Sequence, residues 1–191
     1  MGVIFSLSGC KAVGKSTLLN GIKNEMPDII IREGFRKFDT GFDTTAEEQF
    51  YENERCYIRR EIEEYKILRQ SEKPALLLRG AEDLEFYALH YPKIIGQNWD
   101  VESNLKNELV ALRKCSSDYI LYLDADLKTI NQRKNRDAMK ARKNMSNWLE
   151  NWQPFIEKYI KANPKTTVLN TNKMSAEEVL AWSLKWISEK L

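Results

Sequence analysis

A glycine-rich turn near the start of the chain restricts the possible folds more than any other feature of the sequence. Residues 9–16 read Gly-Cys-Lys-Ala-Val-Gly-Lys-Ser, which has the Walker A spacing of a glycine, four residues and then Gly-Lys-Ser. A short apolar run at 3–7 precedes this turn, and a segment with apolar residues at helical spacing, 15–26, follows it. A strand that leads through such a turn into a helix is the context in which this spacing binds polyphosphates. We therefore expect a strand, a phosphate-binding loop and a helix here.

The chemistry of polyphosphate binding explains the residue types in the turn. Glycines let the backbone curl so that N–H groups face phosphate oxygens, and the positive end of the next helix adds to the attraction. Lys15 is expected to reach the β- and γ-phosphates, and the Ser16 hydroxyl to complete the shell of a Mg²⁺ ion. The predicted ligands are ATP and Mg²⁺, and the predicted nucleotide-binding residues are Gly9, Cys10, Lys11, Ala12, Val13, Gly14, Lys15, Ser16 and Thr17.

The rest of the chain alternates between short apolar runs and longer helical segments. Apolar runs predict further strands over 28–35, 74–80, 119–126 and 166–171. The helical segments are 44–70, 100–115, 126–162 with an interruption, and 175–191. Each connection is long enough for a crossover, so all five strands can run parallel. The predicted fold is one α/β domain over residues 1–191, with three α/β/α layers and a five-stranded parallel sheet.

Composition excludes several other classes of protein. The 191 residues are 42% hydrophobic and 30% charged, which argues against both disorder and a membrane protein. The net charge of +2 argues against general nucleic-acid binding. Three widely spaced cysteines and one histidine, His90, suit neither a disulfide framework nor a zinc or Ser-His-Asp enzyme. We find no apolar run near the ~20 residues of a membrane span and no signal peptide, so we expect a cytoplasmic location.

Taken in order along the chain, these features resemble the P-loop nucleoside and nucleoside-monophosphate kinases, and within them the deoxynucleoside kinase and thymidylate kinase branch. Part of the resemblance is the segment QRKNRDAMKARK, in which six of the eleven residues at 133–143 are basic. This segment resembles the LID of that family, placed here at about 132–145. The resemblance implies a P-loop NTPase fold in which LID arginines close over the transferring phosphoryl group. The candidates are Arg133, Arg136 and Arg142.

A second motif of the resemblance, LLLRGAEDLEFY at 76–87, follows the third strand. The family carries an Asp-Arg or Glu-Arg pair there, and Arg79 matches its arginine. Leu78 stands where the carboxylate is expected, and a leucine can neither accept a proton nor bind Mg²⁺. We therefore expect another carboxylate to serve, either Asp83 or Glu33, which belongs to the REG segment after the second strand.

Further segments gain a role from the resemblance. LNTNKMS at 169–175 resembles the loop that contacts the donor adenine through its backbone. Asp124 ends an apolar strand as a Walker B aspartate does, but in this family the position is more often structural. An acceptor site is expected between the helix that starts at Thr44 and the segment 82–99. Its neighbourhood contains Phe50, Tyr51, Asn53, Glu54, Arg55, Tyr57, Phe86, Tyr87 and Trp99, of which Phe50 and Tyr57 are expected in the core.

Three functions remain open on this reading. The leading one is a kinase that transfers the γ-phosphoryl group of ATP to a nucleoside or a nucleoside monophosphate, with a homodimer possible. The second is a kinase of related fold that acts on another metabolite or on a polynucleotide end. The third is an ATP-binding regulatory module, because Leu78 weakens the case for efficient catalysis. A GTP switch is disfavoured, since Asn172-Lys173 is followed by Met174 and Ser175 rather than by the aspartate that reads guanine.

Overall fold

The computed structural model of the chain describes residues 2–33, 39–136 and 145–191, without the side chains of 136, 145, 146 and 148. The strands are β1 Ile4–Gly9, β2 Ile30–Glu33, β3 Ala75–Leu78, β4 Tyr119–Asp124 and β5 Thr166–Asn170. The helices in the described residues are α1 Lys15–Glu25, α2 Glu47–Gln70, α3 Ala81–Ile94, α4 Val101–Asn104, α5 Lys106–Arg113, α6 Leu127–Arg136, α7 Met145–Asn151, α8 Gln153–Lys161 and α9 Ala176–Ser188.

The five strands form one parallel sheet in the order β2-β3-β1-β4-β5, which confirms the predicted fold class. The central strands are apolar because helices cover both faces of the sheet. Phe5 and Leu7 of β1 belong to the main core cluster, together with residues of α1 and α9. On the other face, Ile4 packs with Leu68 of α2, and α3 lies against both α5 and α8 on this side. None of the described helices has the length and apolar content of a membrane span.

The sequence predicts N-caps at Thr44 or Thr45, with Glu47 or Glu48 three residues on, and a capping box from Ser175 to Glu178. The capping box at the start of α9 is confirmed. The cap on α2 is wrong, because the N-cap residue is Ala46, which makes no side-chain cap bond. The Thr45 N–H and hydroxyl both donate to Asp43 Oδ1, at 2.9 and 2.7 Å, so they stabilise the preceding turn instead.

Two helical segments also differ from the prediction. The helix expected over 100–115 is divided at Leu105 into α4 and α5, and the Asp100 carboxylate caps α4 by accepting a bond from Ser103 N–H at 3.1 Å. Helix α3 lies in a segment to which no element was assigned. Its buried face includes Glu82, Asp83 and Glu85. Because charged residues occupy these buried positions, the sequence lacks the apolar periodicity that predicts a helix.

Candidate active site

The glycine-rich turn forms a loop between β1 and α1 at the carboxyl end of the sheet. Gly9, Ala12 and Gly14 all have positive φ angles, of 135°, 64° and 111°, and this curls the backbone. Gly9 is also required by space, because a Cβ there would lie 2.4 Å from the Leu123 carbonyl oxygen of β4. The sequence prediction of a strand, a loop and a helix is therefore confirmed in the backbone.

Lys15 folds back over this loop. Its Nζ donates hydrogen bonds to the carbonyl oxygens of Gly9 and Cys10, each at 2.7 Å. The ammonium group is thus held at the rim of the loop, on the helix that starts there. An anion in the loop would lie close to this positive charge. It could replace the two carbonyl oxygens as the acceptor of the Lys15 N–H groups.

The start of α1 also suits a bound anion. Gly14 is the N-cap residue and supplies no side-chain cap, and no acidic residue lies in the first turn. The Ser16 and Thr17 side chains are exposed beside it. Within the described residues no group of three acidic, His or Cys side chains could hold a metal ion by itself.

Arg79 follows β3 and has an unusual backbone. Its φ of 70° lies in the left-handed region, which is uncommon for a residue other than glycine, and its N–H donates to the Leu7 carbonyl oxygen at 3.1 Å. The guanidinium donates to the Tyr87 hydroxyl at 2.6 Å and lies 5.3 Å from the centroid of that ring. Backbone strain of this kind is concentrated at functional sites, so the position of Arg79 fits a binding role.

Two adjacent carboxylates of α3 lie buried beneath β1. Glu82 accepts a short hydrogen bond from the Ser6 hydroxyl, and its second oxygen receives long bonds from the N–H and hydroxyl of Ser117, at 3.4 and 3.5 Å. Asp83 accepts a bond from the Ser8 hydroxyl at 3.0 Å. Gly80 has no room for a side chain, because a Cβ would lie 2.7 to 2.9 Å from the Glu82 carboxylate and the Ser117 hydroxyl.

Burial dominates the electrostatics of Asp83. The side chain is fully buried, and desolvation raises its pKa from 3.8 to about 7, with a further upward contribution from Glu82. The positive charges of Arg79 and Lys15 and the Ser8 hydrogen bond act in the opposite direction. Asp83 thus contacts Ser8, the residue that precedes the phosphate loop, and it lies close enough to Arg79 and Lys15 for their charges to lower its pKa.

Glu33 occupies the other expected carboxylate position. It ends β2 and pairs in register with Leu78, the last residue of β3. Residues in register on neighbouring parallel strands project to the same face, about 4.8 Å apart. The Glu33 side chain is exposed at the carboxyl edge of the sheet, whereas Asp83 is buried below it.

Arg133 is held by backbone atoms of the phosphate loop. One of its guanidinium nitrogens donates to the Val13 carbonyl oxygen and to the Thr171 hydroxyl, both at 2.9 Å, and the other donates to the Thr171 carbonyl oxygen at 2.7 Å. These bonds place the guanidinium beside the phosphate loop, and its contact with phosphate stays a prediction. The side chain of Arg136, at the end of α6, and all of Arg142 lie outside the described residues.

Contacts with Lys161 and Thr171 tie the end of β4 to neighbouring segments. The Asp124 carboxylate pairs with Lys161 Nζ at 3.0 Å, and its carbonyl oxygen accepts bonds from the N–H and hydroxyl of Thr171. The Asn172 side chain accepts a bond from Asp126 N–H at 2.8 Å. These bonds fix the loop after β5 beside the phosphate loop, where the sequence prediction expected an adenine-binding loop.

The predicted acceptor region is largely core. Phe50 and Tyr57 are buried as expected, and Phe50 stacks on Tyr91 with ring centroids 5.6 Å apart. Asn53 is buried and bonded to the Thr40 hydroxyl and to Glu54. Arg55, which was expected in the neighbourhood of the acceptor, pairs through its guanidinium with Glu52 on α2 itself and Glu108 on α5, and it also donates to the Asn104 carbonyl oxygen.

An aromatic surface beside Arg79 was missed by the sequence prediction. Trp152 lies between α7 and α8, and its ring centroid is 5.0 Å from that of Tyr87 and 6.3 Å from that of Tyr91. Tyr87 and Trp152 are both half-buried. His90 packs against Phe86 and Trp152, with ring centroids 5.0 and 5.7 Å apart. No local signal joins Trp152 to Tyr87, because they come from separate helical segments.

Comparison with known proteins agrees with this geometry. No protein-family model matches the sequence, and no curated protein matches it. Among solved structures, a deoxyadenosine kinase from M. mycoides, determined with the products dCMP and a flexible dCDP, is 14% identical with a TM-score of 0.71 and covers 98% of this chain and 100% of that one. A thymidylate kinase from Candida albicans is 14% identical with a TM-score of 0.63, covering 99% and 92%. The YorR protein from Bacillus subtilis, determined with phosphorylated GDP, is 16% identical with a TM-score of 0.57, covering 98% and 97%.

At these identities the likeness establishes the fold. The chain has the three-layer α/β/α fold of the P-loop kinases, with a phosphate loop after the first strand. More particularly, it has the fold of the nucleoside and nucleotide kinases, as the resemblance in its sequence implied.

Proposed function

We propose that this chain is an ATP-dependent kinase that transfers the γ-phosphoryl group to a nucleoside or a nucleoside monophosphate. The observation that carries this proposal is the phosphate loop itself. Three positive φ angles curl it, Lys15 is held at its rim, and the uncapped start of α1 faces it. The same fold in a deoxyadenosine kinase and a thymidylate kinase favours this class of acceptor.

The basic residues would neutralise the charge that spreads over the transferring group. In this proposal Lys15 contacts the β- and γ-phosphates, and Arg79 contacts a phosphate on the acceptor side. Arg136 and Arg142 contribute from the LID. Mg²⁺ would be held by the Ser16 hydroxyl and the phosphates, and it would supply charge neutralisation between the β- and γ-phosphates.

Two carboxylates would replace the one missing at Leu78. With a nucleoside as acceptor, its hydroxyl oxygen forms a bond to the γ-phosphorus, the bond from that phosphorus to the bridging oxygen of ADP breaks, and the hydroxyl proton must leave. With a nucleoside monophosphate the attacking atom is an ionised phosphate oxygen, and no hydroxyl proton has to leave. Glu33 is in register with Leu78 and exposed, so it is our candidate to accept this proton. Asp83 is buried near Lys15 and Arg79, and we assign it to the electrostatic balance beneath the loop.

Two alternatives stay testable beside this proposal. A kinase for another metabolite or for a polynucleotide end would use the same phosphate loop with a different acceptor pocket. An ATP-binding regulatory module would bind nucleotide without efficient transfer, and Leu78 is the residue that favours it. The acceptor that accelerates ATP turnover distinguishes the three functions. It is a nucleoside or nucleotide for the leading proposal, another compound for the related kinase, and none for the regulatory module.

The test is an acceptor panel. The protein is incubated with ATP, Mg²⁺ and nucleosides or nucleoside monophosphates, and ADP release is measured beside the Lys15→Ala variant. The matched control is Lys23→Ala, which removes an exposed lysine from the other end of α1. We expect acceptor-dependent ADP release that is lost in Lys15→Ala and retained in Lys23→Ala. We also expect Glu33→Gln to lower kcat by about 10²-fold or more.

Other results would count against the proposal. ATP binding without turnover for any nucleoside or nucleotide would refute a nucleoside kinase and favour the regulatory module. Equal ADP release in Lys15→Ala and the unaltered protein would show that the release does not come from the phosphate loop.

A further inference from the structure

One side chain joins three parts of the candidate nucleotide site. The Arg133 guanidinium projects from α6, contacts the phosphate loop at the Val13 carbonyl oxygen, and contacts the loop after β5 at two oxygens of Thr171. Thr171 is fully buried, and its own N–H and hydroxyl donate to the Asp124 carbonyl oxygen at 2.8 and 2.9 Å. Thr171 is therefore bonded to β4, and the sheet fixes the position of the two Thr171 oxygens that accept from the guanidinium.

The contact with Val13 fixes the orientation of one peptide group. A trans peptide is planar, and its carbonyl oxygen and the following N–H point in opposite directions. No cis peptide bond occurs in the described residues. Because Arg133 holds the Val13 carbonyl oxygen on the α6 side, the Gly14 N–H is turned away from α6. This N–H belongs to the turn whose backbone donors are expected to surround a polyphosphate.

Packing restrains one side of this peptide and leaves the other side open. The Val13 side chain is buried in the main core cluster. A Cβ built at Gly14 would have no atom within 4 Å, and the Gly14 φ of 111° is one that glycine adopts easily. The neighbouring bond from Val13 N–H to the Cys10 carbonyl oxygen is long, at 3.4 Å. The Arg133 bond at 2.9 Å is therefore a direct restraint on the orientation of the Val13 carbonyl group.

We propose that Arg133 is a positioning residue for the phosphate loop: it holds the Val13–Gly14 peptide so that the Gly14 N–H is presented to the polyphosphate. The inference rests on the proposed nucleotide-binding function and deepens it. Because Arg133 lies on the helix that leads to the expected LID, the orientation of this donor is also linked to the position of α6. Arg133 then contributes through the backbone of the loop, in place of the direct phosphate contact that the sequence predicted.

The chemistry calls for arginine rather than for any positive charge. One nitrogen of the planar guanidinium donates to the Val13 carbonyl oxygen and the Thr171 hydroxyl, and the second nitrogen donates to the Thr171 carbonyl oxygen. A lysine ammonium carries the same charge but has a single nitrogen atom, so it loses the separate bond to the Thr171 carbonyl oxygen and the fixed plane of the group. Arg133→Lys therefore separates the effect of charge from the effect of shape.

The experiment measures binding of three probes by titration calorimetry or by competition: Mg·ATP, inorganic tripolyphosphate and adenosine. The variants are Arg133→Lys, Arg133→Ala and Thr171→Val, which removes the hydroxyl and keeps the side-chain volume. The matched control is Lys128→Ala, which removes an exposed positive charge near the start of the same helix. Circular dichroism checks that each variant folds, and methylguanidine is added to Arg133→Ala to replace the missing group.

We expect both Arg133 variants to bind Mg·ATP and tripolyphosphate about tenfold to a hundredfold more weakly, with adenosine binding unchanged. Thr171→Val should lie between them and the unaltered protein, and Lys128→Ala should bind normally. Methylguanidine should restore part of the loss in Arg133→Ala, which a general loss of structure would not allow.

Two results would overturn the inference while leaving the proposed function intact. Unaltered binding of Mg·ATP and tripolyphosphate by both Arg133 variants would show that the peptide needs no such contact. A loss confined to Mg·ATP, with normal tripolyphosphate binding, would place the effect at the base rather than at the phosphates. Failure of the unaltered protein to bind either Mg·ATP or tripolyphosphate would instead refute the proposed function, and this inference with it.

Discussion

The buried carboxyl group of Asp83 makes the stability of the protein depend on pH. Its side chain is fully buried on the first turn of α3, and one oxygen accepts a bond from the Ser8 hydroxyl at 3.0 Å. The other oxygen has no hydrogen-bond partner among the residues that the structure describes. Burial raises the pKa of this group to about 7, despite the positive charges of Arg79 and Lys15.

The sign and size of the effect follow from the two pKa values. In the unfolded chain Asp83 loses its proton near pH 3.8, whereas in the folded protein it keeps the proton up to about pH 7. Between these values the folded state binds one more proton, so the free energy of unfolding falls by about 1.4 kcal/mol for each pH unit. The contribution of Asp83 therefore decreases by about 3 kcal/mol from pH 5 to pH 8, with most of the change below pH 7.

Asp83→Asn tests this reasoning, because asparagine has the same shape, carries no charge and can still accept the Ser8 hydrogen bond. Urea unfolding of both proteins at pH 5, 6, 7 and 8 gives the free-energy difference at each pH, and groups common to both cancel. We expect the difference, variant minus unaltered protein, to rise by about 3 kcal/mol across this range. Asp28→Asn, which changes an exposed aspartate, provides the baseline for a surface carboxylate.

A constant difference between pH 5 and pH 8 would refute the argument, because it would mean that Asp83 is ionised throughout. That is also the result expected if Arg79 and Lys15 outweigh burial and hold the pKa of Asp83 at or below 3.8, because the group is then ionised in both states above pH 5.

Three further predictions concern stability and binding, and urea unfolding measures the first two. Ser175→Ala should lower the free energy of unfolding by about 1 kcal/mol, since it removes the hydroxyl that accepts a bond from Glu178 N–H. Arg69→Lys should cost about 1 kcal/mol, because lysine cannot make the two 2.6 Å bonds to Asp118. Gly14→Ala should weaken Mg·ATP binding, measured by calorimetry, because a φ of 111° strains any side chain although the space there is open; unchanged binding would show that the loop can adopt another shape.

The strands could be predicted from the sequence because their signal is local. Apolar runs at Ala75–Leu78 and Tyr119–Asp124 mark strands covered on both faces, and the glycine spacing marks the turn between β1 and α1. The start of α9 was also predictable, since its capping box lies within four consecutive residues. Each of these features is decided by residues close together in the chain.

Helix α3 and the buried carboxylates could not be predicted in the same way. The residues that face the core from α3 include Glu82 and Asp83, and a pattern of apolar residues does not reveal them. A signal did exist on the partner strand, where Ser6 and Ser8 occupy buried positions in an otherwise apolar β1. Buried serines need hydrogen-bond partners, so they indicated polar groups on the covering helix without saying which ones.

The contacts of Arg133 could not be predicted from the sequence for another reason. Its partners Val13 and Thr171 are 120 and 38 residues away in the chain. The basic segment 133–143 suggested phosphate contacts for all of its arginines alike. Only the fold shows that the first of them lies close enough to the phosphate loop to bind its backbone.

Leu78 replaces an expected carboxylate, but in a parallel sheet a neighbouring strand can supply a carboxylate at nearly the same place. The carboxyl ends of neighbouring strands meet at one edge, so residues in register project to the same face about 4.8 Å apart. Glu33 stands in register with Leu78 across β2 and β3, and β2 ends there. A carboxylate supplied from β2 would need only that lateral displacement, which a glutamate side chain can span. Leu78 is therefore compatible with the proposed phosphoryl transfer, provided that Glu33 supplies the carboxylate.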